Sequence, residues 1–388
     1  MLIYVGISSH GFGHAARQAA VLAALHRLQP QWRLVVSTAV DPNFLRVAFE
    51  GVPVEWRQRR WDVGMAQADA LSADPQATLA ELSALDAGLP AQIDEEARWL
   101  SAQNSPVVVV GDIPPSLAEL ALRLQAPLVW MGNFGWDDIY APLGELFASY
   151  AERATQAYRQ GDLLLRMPFD LAMDWGLPTI KIGLTAAQPR PLPEPVHQRL
   201  SERQQPTVLV GFGGLGLRID PALFALWPHH HFVLAAPQAP DALPFLQQQA
   251  NVTLLPTGIR PIDVMPFCDR LLGKPGFSTF SEALSNRLGL HVVERDGFAE
   301  AAALMEGLRR HGKHRVLTRS ALASGEWQLS QALISPSEEA LAVNGAASAA
   351  EAIVAVAENC SFQPNVNDQS CLFKQVATIE LAQIANPH

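Results

Sequence analysis

"LIYVGISSHGFGHAAR", residues 2–17, begins with a short apolar run, turns through glycines at 11 and 13, and enters a helical pattern. A β-rich run, a glycine turn and a helix make the opening of a βα unit. The same run recurs in "RLVVST" (33–38), "VPVEW" (52–56), "PVVVVGD" (106–112) and "PLVWMG" (127–132), with helical stretches at 14–28, 76–103, 115–125 and 137–160. Several of these runs are apolar throughout, as strands of a parallel sheet covered on both faces tend to be. Residues 187–206, "AQPRPLPEPVHQRLSERQQP", are rich in Pro, Gln and charge and read as a linker. The pattern then restarts in "TVLVGFGG" (207–214), "HFVLAAP" (231–237), "VTLLP" (252–256), "RLLG" (270–273) and "LHVVE" (290–294), with helices expected near 219–226, 241–249, 278–288, 299–310 and 347–357. Two successive βα arrays predict an α/β fold of two Rossmann-like, doubly wound parallel-sheet domains facing a cleft. The expected divisions are 1–186, the linker 187–206, a second domain 207–358, and a tail 359–388 that packs back on the first domain or stays unstructured.

Composition narrows the function. At 388 residues the chain exceeds the size of a single core. A formal charge of −10 argues against nucleic-acid partners, which need clustered Lys and Arg. No window approaches the ~20 apolar residues of a membrane span, and "MLIYVGIS" lacks the basic start of a signal peptide. Cys268, Cys360 and Cys371 form neither a C-x-x-C pair nor an even disulfide set. A soluble protein of the reducing cytoplasm is expected.

Ligands of open parallel sheets lie at the carboxyl ends of the strands. His10, Gly11, Gly13 and His14 stand there after the first strand, and Asp112 stands there after "VVVV". His14 suits a general base, and Asp112 on its other nitrogen would fix the tautomer and stabilise the imidazolium. The plainer alternative makes His14 the end of a turn and Asp112 a helix cap. "GFGGLG" (211–216) matches a dinucleotide-binding G-x-G-x-x-G, but the acidic residue wanted about 20 positions on is missing. Phosphate approach to that loop remains open.

The segment "LLGKPGFSTFSEALSNRLGL" (271–290) places a Pro-Gly turn before a helix starting near Ser278 or Thr279, a ready anion site. Glu282 could take two vicinal ribose hydroxyls. Equally, Thr279 and Glu282 form a T-x-x-E capping box.

Taken together, "SHGFGHAAR", "NFGWDDIY" (133–140), "GKPGFSTFSEAL" (273–284) and "ERDGFAEAAALM" (294–305) resemble the GT-B glycosyltransferases. The similarity is to the branch containing the peptidoglycan N-acetylglucosaminyltransferase, and most of all to the glycosyltransferase-like N-terminal region of plant L-arabinokinases. The resemblance implies that His14 is the base or an acceptor contact, with Asp112 against it. It implies that Gly213 and Gly214 lie beside the donor diphosphate, that Ser278 and Thr279 bind it, and that Glu282 holds the ribose. Where relatives carry Asp-Gln or Gln-Gln and Asn on the donor sugar, this chain has "GFAEAAAL" (297–304), leaving Glu300 as the polar sugar contact. The kinase segment of arabinokinases is not matched, so sugar phosphorylation is not implied.

Other features carry competing readings. Adjacent histidines in "WPHHHF" (227–232) point to opposite faces of a strand and suit a metal poorly. The run "EWRQRRW" (55–61) could meet an anionic acceptor or a membrane surface, or be a charged strand edge. Asp137 could face the acceptor or favour a helix start. Trp136 and Tyr140 could be core or a sugar platform. The expected activity is inverting transfer of a sugar from a UDP-sugar to an unknown acceptor (small molecule, glycan or lipid), with no metal and no further cofactor, and with peripheral membrane contact allowed. The alternatives are a sugar-nucleotide 2-epimerase and a non-catalytic sugar-nucleotide-binding protein.

Overall fold

The opening run becomes β1 (Leu2–Ile7), and every one of its residues is buried. This follows from its place in the middle of a sheet with helices on both faces. The structure is a computed structural model describing residues 1–69, 72–213, 219–235, 241–295 and 297–362. Six further strands join β1: β2 (Arg33–Ser37), β3 (Val54–Arg57), β4 (Val107–Asp112), β5 (Leu128–Gly132), β6 (Leu163–Arg166) and β7 (Thr179–Lys181). They form a parallel sheet in the order β3-β2-β1-β4-β5-β6-β7. The chain winds outward from β1 to β3 and then crosses to β4, so the order reverses between β1 and β4. Ile7 pairs with Asp112 across that reversal.

The second sheet repeats the design with β8 (Thr207–Gly211), β9 (His231–Leu234), β10 (Val252–Leu254), β11 (Arg270–Gly273), β12 (Gly289–Val293) and β13 (His314–Leu317). Its order is β10-β9-β8-β11-β12-β13, all parallel, and it reverses between β8 and β11. Gly211 pairs with Gly273 there. A Cβ on Gly273 would come within 2.5 Å of the Gly211 carbonyl oxygen, so the close approach requires glycine. No helix among the described residues is long and apolar enough to cross a membrane.

Several boundaries differ from the sequence reading. The strands at 163–166, 179–181 and 314–317 are not among those expected from the sequence pattern. The helix expected over 137–160 is divided into Trp136–Tyr140, a 3₁₀ turn Ala141–Leu143, and Glu145–Tyr158. Gly144, with φ +95°, breaks it. The linker contains a helix, Glu194–Ser201. It is also anchored at both ends of Arg190, whose guanidinium donates to the Val47 carbonyl (2.9 Å) and whose backbone N–H donates to Asp263 (2.8 Å).

The expected boundary at 358 falls inside one helix. Gly345–Phe362 does not stay with the second domain; it packs on helix Phe12–Leu28 of the first. Buried Ala349, Ala350 and Ile353 share one apolar cluster with Ala15, Ala19 and Leu22, and such small residues let two helices approach closely. Residues 363–388, most of the expected tail, lie outside the described residues. The two crossings between domains run side by side: the Leu184 N–H donates to the Ala342 carbonyl (2.7 Å), and the Gly345 N–H to the Leu184 carbonyl (3.1 Å).

Candidate active site at the two switch points

Helix Phe12–Leu28 starts at the reversal of the first sheet, with Gly11 as its N-cap at φ 148°. His14, Arg17 and Gln18 stand at i, i+3 and i+4, which places them on one face. All three reach Asp112, the last residue of β4. His14 Nδ1 lies 2.8 Å from Asp112 Oδ1. Arg17 Nε donates to Oδ2 at 2.8 Å and its Nη2 also bonds Oδ1, while Gln18 Nε2 donates to Oδ2 at 2.7 Å. The carboxylate is fully buried. Burial alone would raise its pKa, but Arg17 and His14 hold it well below the usual carboxylate range. His14 Nδ1 thus faces both Asp112 and, at 3.0 Å, Arg17 Nη2. Helix-cap and turn-end roles do not describe Asp112 and His14.

His10 is fixed differently. Its Nδ1 accepts from the Met65 N–H at 3.1 Å, and its ring stacks on Phe298 of the second domain with centroids 5.6 Å apart. Burial, then His14, Arg295 and Lys274, lower its pKa to about 3. The ring is neutral, and with Nδ1 accepting, Nε2 carries the hydrogen. Gly64, at φ +71°, lets the loop close on it; a Cβ there would sit 2.5 Å from the His10 Cβ.

Asp137, expected on the acceptor side, turns into the core instead. Its Oδ2 accepts from Trp175 Nε1 (2.8 Å) and Thr155 Oγ1 (3.0 Å). Trp136 and Tyr140 are core as well: both are buried and stacked, and their polar tips bond Asp62 and the Gly64 carbonyl. The arginines of "EWRQRRW" pair with Glu81, Glu95 and Glu96 of helix Pro75–Ser101, which makes them an internal clasp. His231 lies inside the second sheet against Thr253.

Across the cleft, helix Phe277–Ser285 begins with Gly276 as N-cap and no side-chain cap. Thr279 and Glu282 are therefore the third and sixth helical residues, and the capping box does not form. Ser278 Oγ donates to the Gly13 carbonyl oxygen at 2.8 Å, bringing the two helix starts together. Gly213 takes φ +79° in the turn after β8, where a side chain would be strained. Gly214 lies outside the described residues. The Glu282 carboxyl, half-buried, has no hydrogen-bond partner among the described residues. Burial pushes its pKa up to about 7, against Arg260 and with Asp263.

Glu300 is buried near the start of helix Ala299–His311 and accepts from Asn133 Nδ2 at 2.8 Å. Asn133 Oδ1 in turn accepts from Arg17 Nη1 at 3.1 Å. A chain of buried hydrogen bonds therefore runs from His14 through Asp112, Arg17 and Asn133 to the second domain. Arg17, Gln18 and Asn133 were not singled out from the sequence. The i+3, i+4 spacing after His14 is the signal that could have found the first two.

No family model matches the chain. It is 27% identical over 331 residues to L-arabinokinase of Arabidopsis thaliana, covering 83% of this chain and 31% of that protein, so it spans about a third of that relative's length. Among solved structures, a UDP-glucosyltransferase from Polygonum tinctorium superposes with a TM-score of 0.59 at 15% identity, covering 98% of both chains. Arabidopsis thaliana UGT89C1, in complex with quercetin, gives 0.57 at 12% identity over 98% and 94%. The spinosyn forosaminyltransferase SpnP gives 0.56 at 14% over 97% and 99%. With two parallel-sheet domains closed around paired switch points, the chain has the GT-B glycosyltransferase fold.

Proposed function

We propose that the protein is an inverting glycosyltransferase that moves a sugar from a UDP-sugar to the hydroxyl of a small acceptor, without a metal ion. The observation that carries this reading is the His14–Asp112 pair facing the uncapped start of helix Phe277–Ser285 across the cleft. Neighbours of the same fold have been solved with UDP, UDP-L-rhamnose and quercetin. His14 Nε2 takes the acceptor proton as the acceptor oxygen attacks the anomeric carbon, and Asp112 stabilises the imidazolium. Oriented amides at the helix start meet the negative charge of the departing diphosphate. Glu300 supplies the sugar contact and Glu282 the ribose contact. The kinship with the peptidoglycan-transferase and arabinokinase branches rests on the motifs quoted above.

A panel of UDP-sugars, with UDP release followed with and without candidate acceptors, tests the reading. It fails if neither UDP nor any UDP-sugar binds. UDP-sugar isomerisation without an acceptor would indicate the epimerase instead.

Glu282 gives a sharper test. Two ribose hydroxyls donating to a carboxylate lose strength when it becomes an amide, so Glu282→Gln is expected to weaken UDP binding about 10- to 100-fold. The folded-state pKa of about 7 lies above the ordinary 4.5. UDP affinity of the native protein therefore falls as pH drops from 8 to 6, and this slope disappears in the variant. The ligand-free protein behaves oppositely: its folded state holds the proton more tightly, so stability is lost as pH rises from 4.5 through 7. Above pH 7 the ligand-free Gln variant is expected to melt higher than the native protein. Calorimetry and thermal unfolding across this range measure both effects.

A further inference from the structure

The stretch "NFGWDDIY" opens on Asn133, the residue directly after β5. Trp136, Asp137 and Tyr140 of that stretch bond inside the first domain. Asn133 does not: its fully buried amide reaches across the cleft. Nδ2 donates to Glu300 Oε1 at 2.8 Å, and Oδ1 accepts from Arg17 Nη1 at 3.1 Å. A carboxylate can only accept and a guanidinium can only donate, so an amide in this one orientation satisfies both. The second domain also touches Arg17 directly, because the guanidinium carbon lies 5.3 Å from the ring centroid of Phe277. Phe134, next in the chain, meets Phe298 edge-on with centroids 6.1 Å apart. Glu300 is 7% exposed, and its second oxygen, Oε2, makes no hydrogen bond among the described residues. Unmet acceptor capacity on a carboxylate so buried is costly until a ligand supplies donors.

We infer that Asn133 is a positioning residue for the donor sugar: it clamps Oε1 of Glu300, leaves Oε2 to the sugar hydroxyls, and ties that contact to Arg17 beside His14 and Asp112. The inference rests on the nucleotide-sugar reading above and assigns recognition of the sugar, as distinct from UDP, to a bond between the domains. Glu300 comes from the second domain and its orientation from the first, so the sugar contact is complete only when the cleft is closed. A sugar that donates to Oε2 therefore favours the closed arrangement by its differential affinity for it. The same closure brings Arg17, Asp112 and His14 up to the reacting carbon. UDP without a sugar makes no use of Oε2 and is indifferent to Asn133.

The test is a swap of polarity across the bond. Calorimetry compares UDP with UDP-glucose, UDP-galactose, UDP-xylose and UDP-N-acetylglucosamine on the native protein, on Asn133→Asp, and on Asn133→Asp combined with Glu300→Gln. Asn133→Asp keeps an acceptor for Arg17 but sets two carboxylates face to face. The affinity of the bound UDP-sugar relative to UDP is expected to fall about tenfold or more, as for a lost charge-assisted bond, with UDP affinity itself unchanged. In the double variant the new amide donates to the new carboxylate at the native net charge, and most of the relative affinity should return. A merely structural role would change UDP and UDP-sugar affinity together and would not be undone by the swap. Asn133→Ala, which adds no charge, gives the same readout should the aspartate variant not fold. A native ratio of UDP-sugar to UDP affinity in either Asn133 variant would overturn the inference and leave the nucleotide reading standing. So would a loss that persists in a double variant melting like the native protein, or a native protein that binds UDP but none of the four sugars. A native protein that binds neither overturns both.

Discussion

His14→Ala is expected to lower kcat by about 10²- to 10⁴-fold, the usual contribution of a positioned general base, while UDP affinity stays as in the native protein. The two readouts separate because His14 sits on the first domain and the nucleotide is assigned to the second. Its Nδ1 is committed to Asp112 at 2.8 Å, and it stands one residue beyond the Gly13 carbonyl that receives Ser278 Oγ. On the proposed reading, a base so placed serves the reacting end of the donor rather than the uracil. UDP release at saturating donor and acceptor measures the loss, and calorimetry measures the unchanged affinity. A variant that turns over as fast as the native protein removes His14 from the mechanism and leaves the fold and nucleotide site untouched.

Arg17→Met is expected to destabilise the protein by about 3–5 kcal/mol at neutral pH, the cost of leaving a buried charge without its partner. Arg17 and Asp112 are both buried, and the guanidinium reaches both carboxylate oxygens. Methionine keeps the apolar stem but leaves Asp112 with Gln18 and a titratable imidazole. The sign of the pH dependence follows from the depressed native pKa. In the native protein the Asp112 contribution is present above the ordinary carboxylate pKa of about 3.9 and is lost as pH falls below it. Without Arg17 the buried carboxylate favours its proton, so the gap between the two proteins should narrow as pH falls toward 4. Adding Asp112→Asn to Arg17→Met should recover more than half of the lost stability, because the orphan charge is gone. Urea unfolding at pH 7 and pH 4.5 reads all three proteins. Equal midpoints for Arg17→Met and the native protein would show that the pair is not what holds Asp112.

Local chemistry made much of the molecule legible in one dimension. The βα alternation is written in apolar runs and glycine turns, so two successive parallel-sheet domains could be expected from the pattern alone. His14, Asp112 and the helix start expected near Ser278 or Thr279 drew attention because each lies at or a few residues beyond the carboxyl end of an apolar run. Two of the alternatives left open by the sequence turn on contacts that local reasoning does not see. Thr279 and Glu282 have the spacing of a capping box, but the helix begins two residues earlier, at Phe277, so the box is never formed. Asp137 stands at the start of a helix beside the cleft, but Trp175 and Thr155, distant in the chain, draw its carboxylate inward.

What the chain determined by itself is the alternation of strands and helices and the positions of the turns that carry chemistry, because propensity, periodicity and backbone freedom act over a few residues. Only the tertiary structure decided which charges meet. Arg17 finds Asp112 across 95 residues, Asn133 finds Glu300 across 167, and helix Gly345–Phe362 returns to the first domain. Those pairings depend on strand order and on which surfaces are buried against each other. Burial in turn makes an unpaired charge costly enough to select one partner from many.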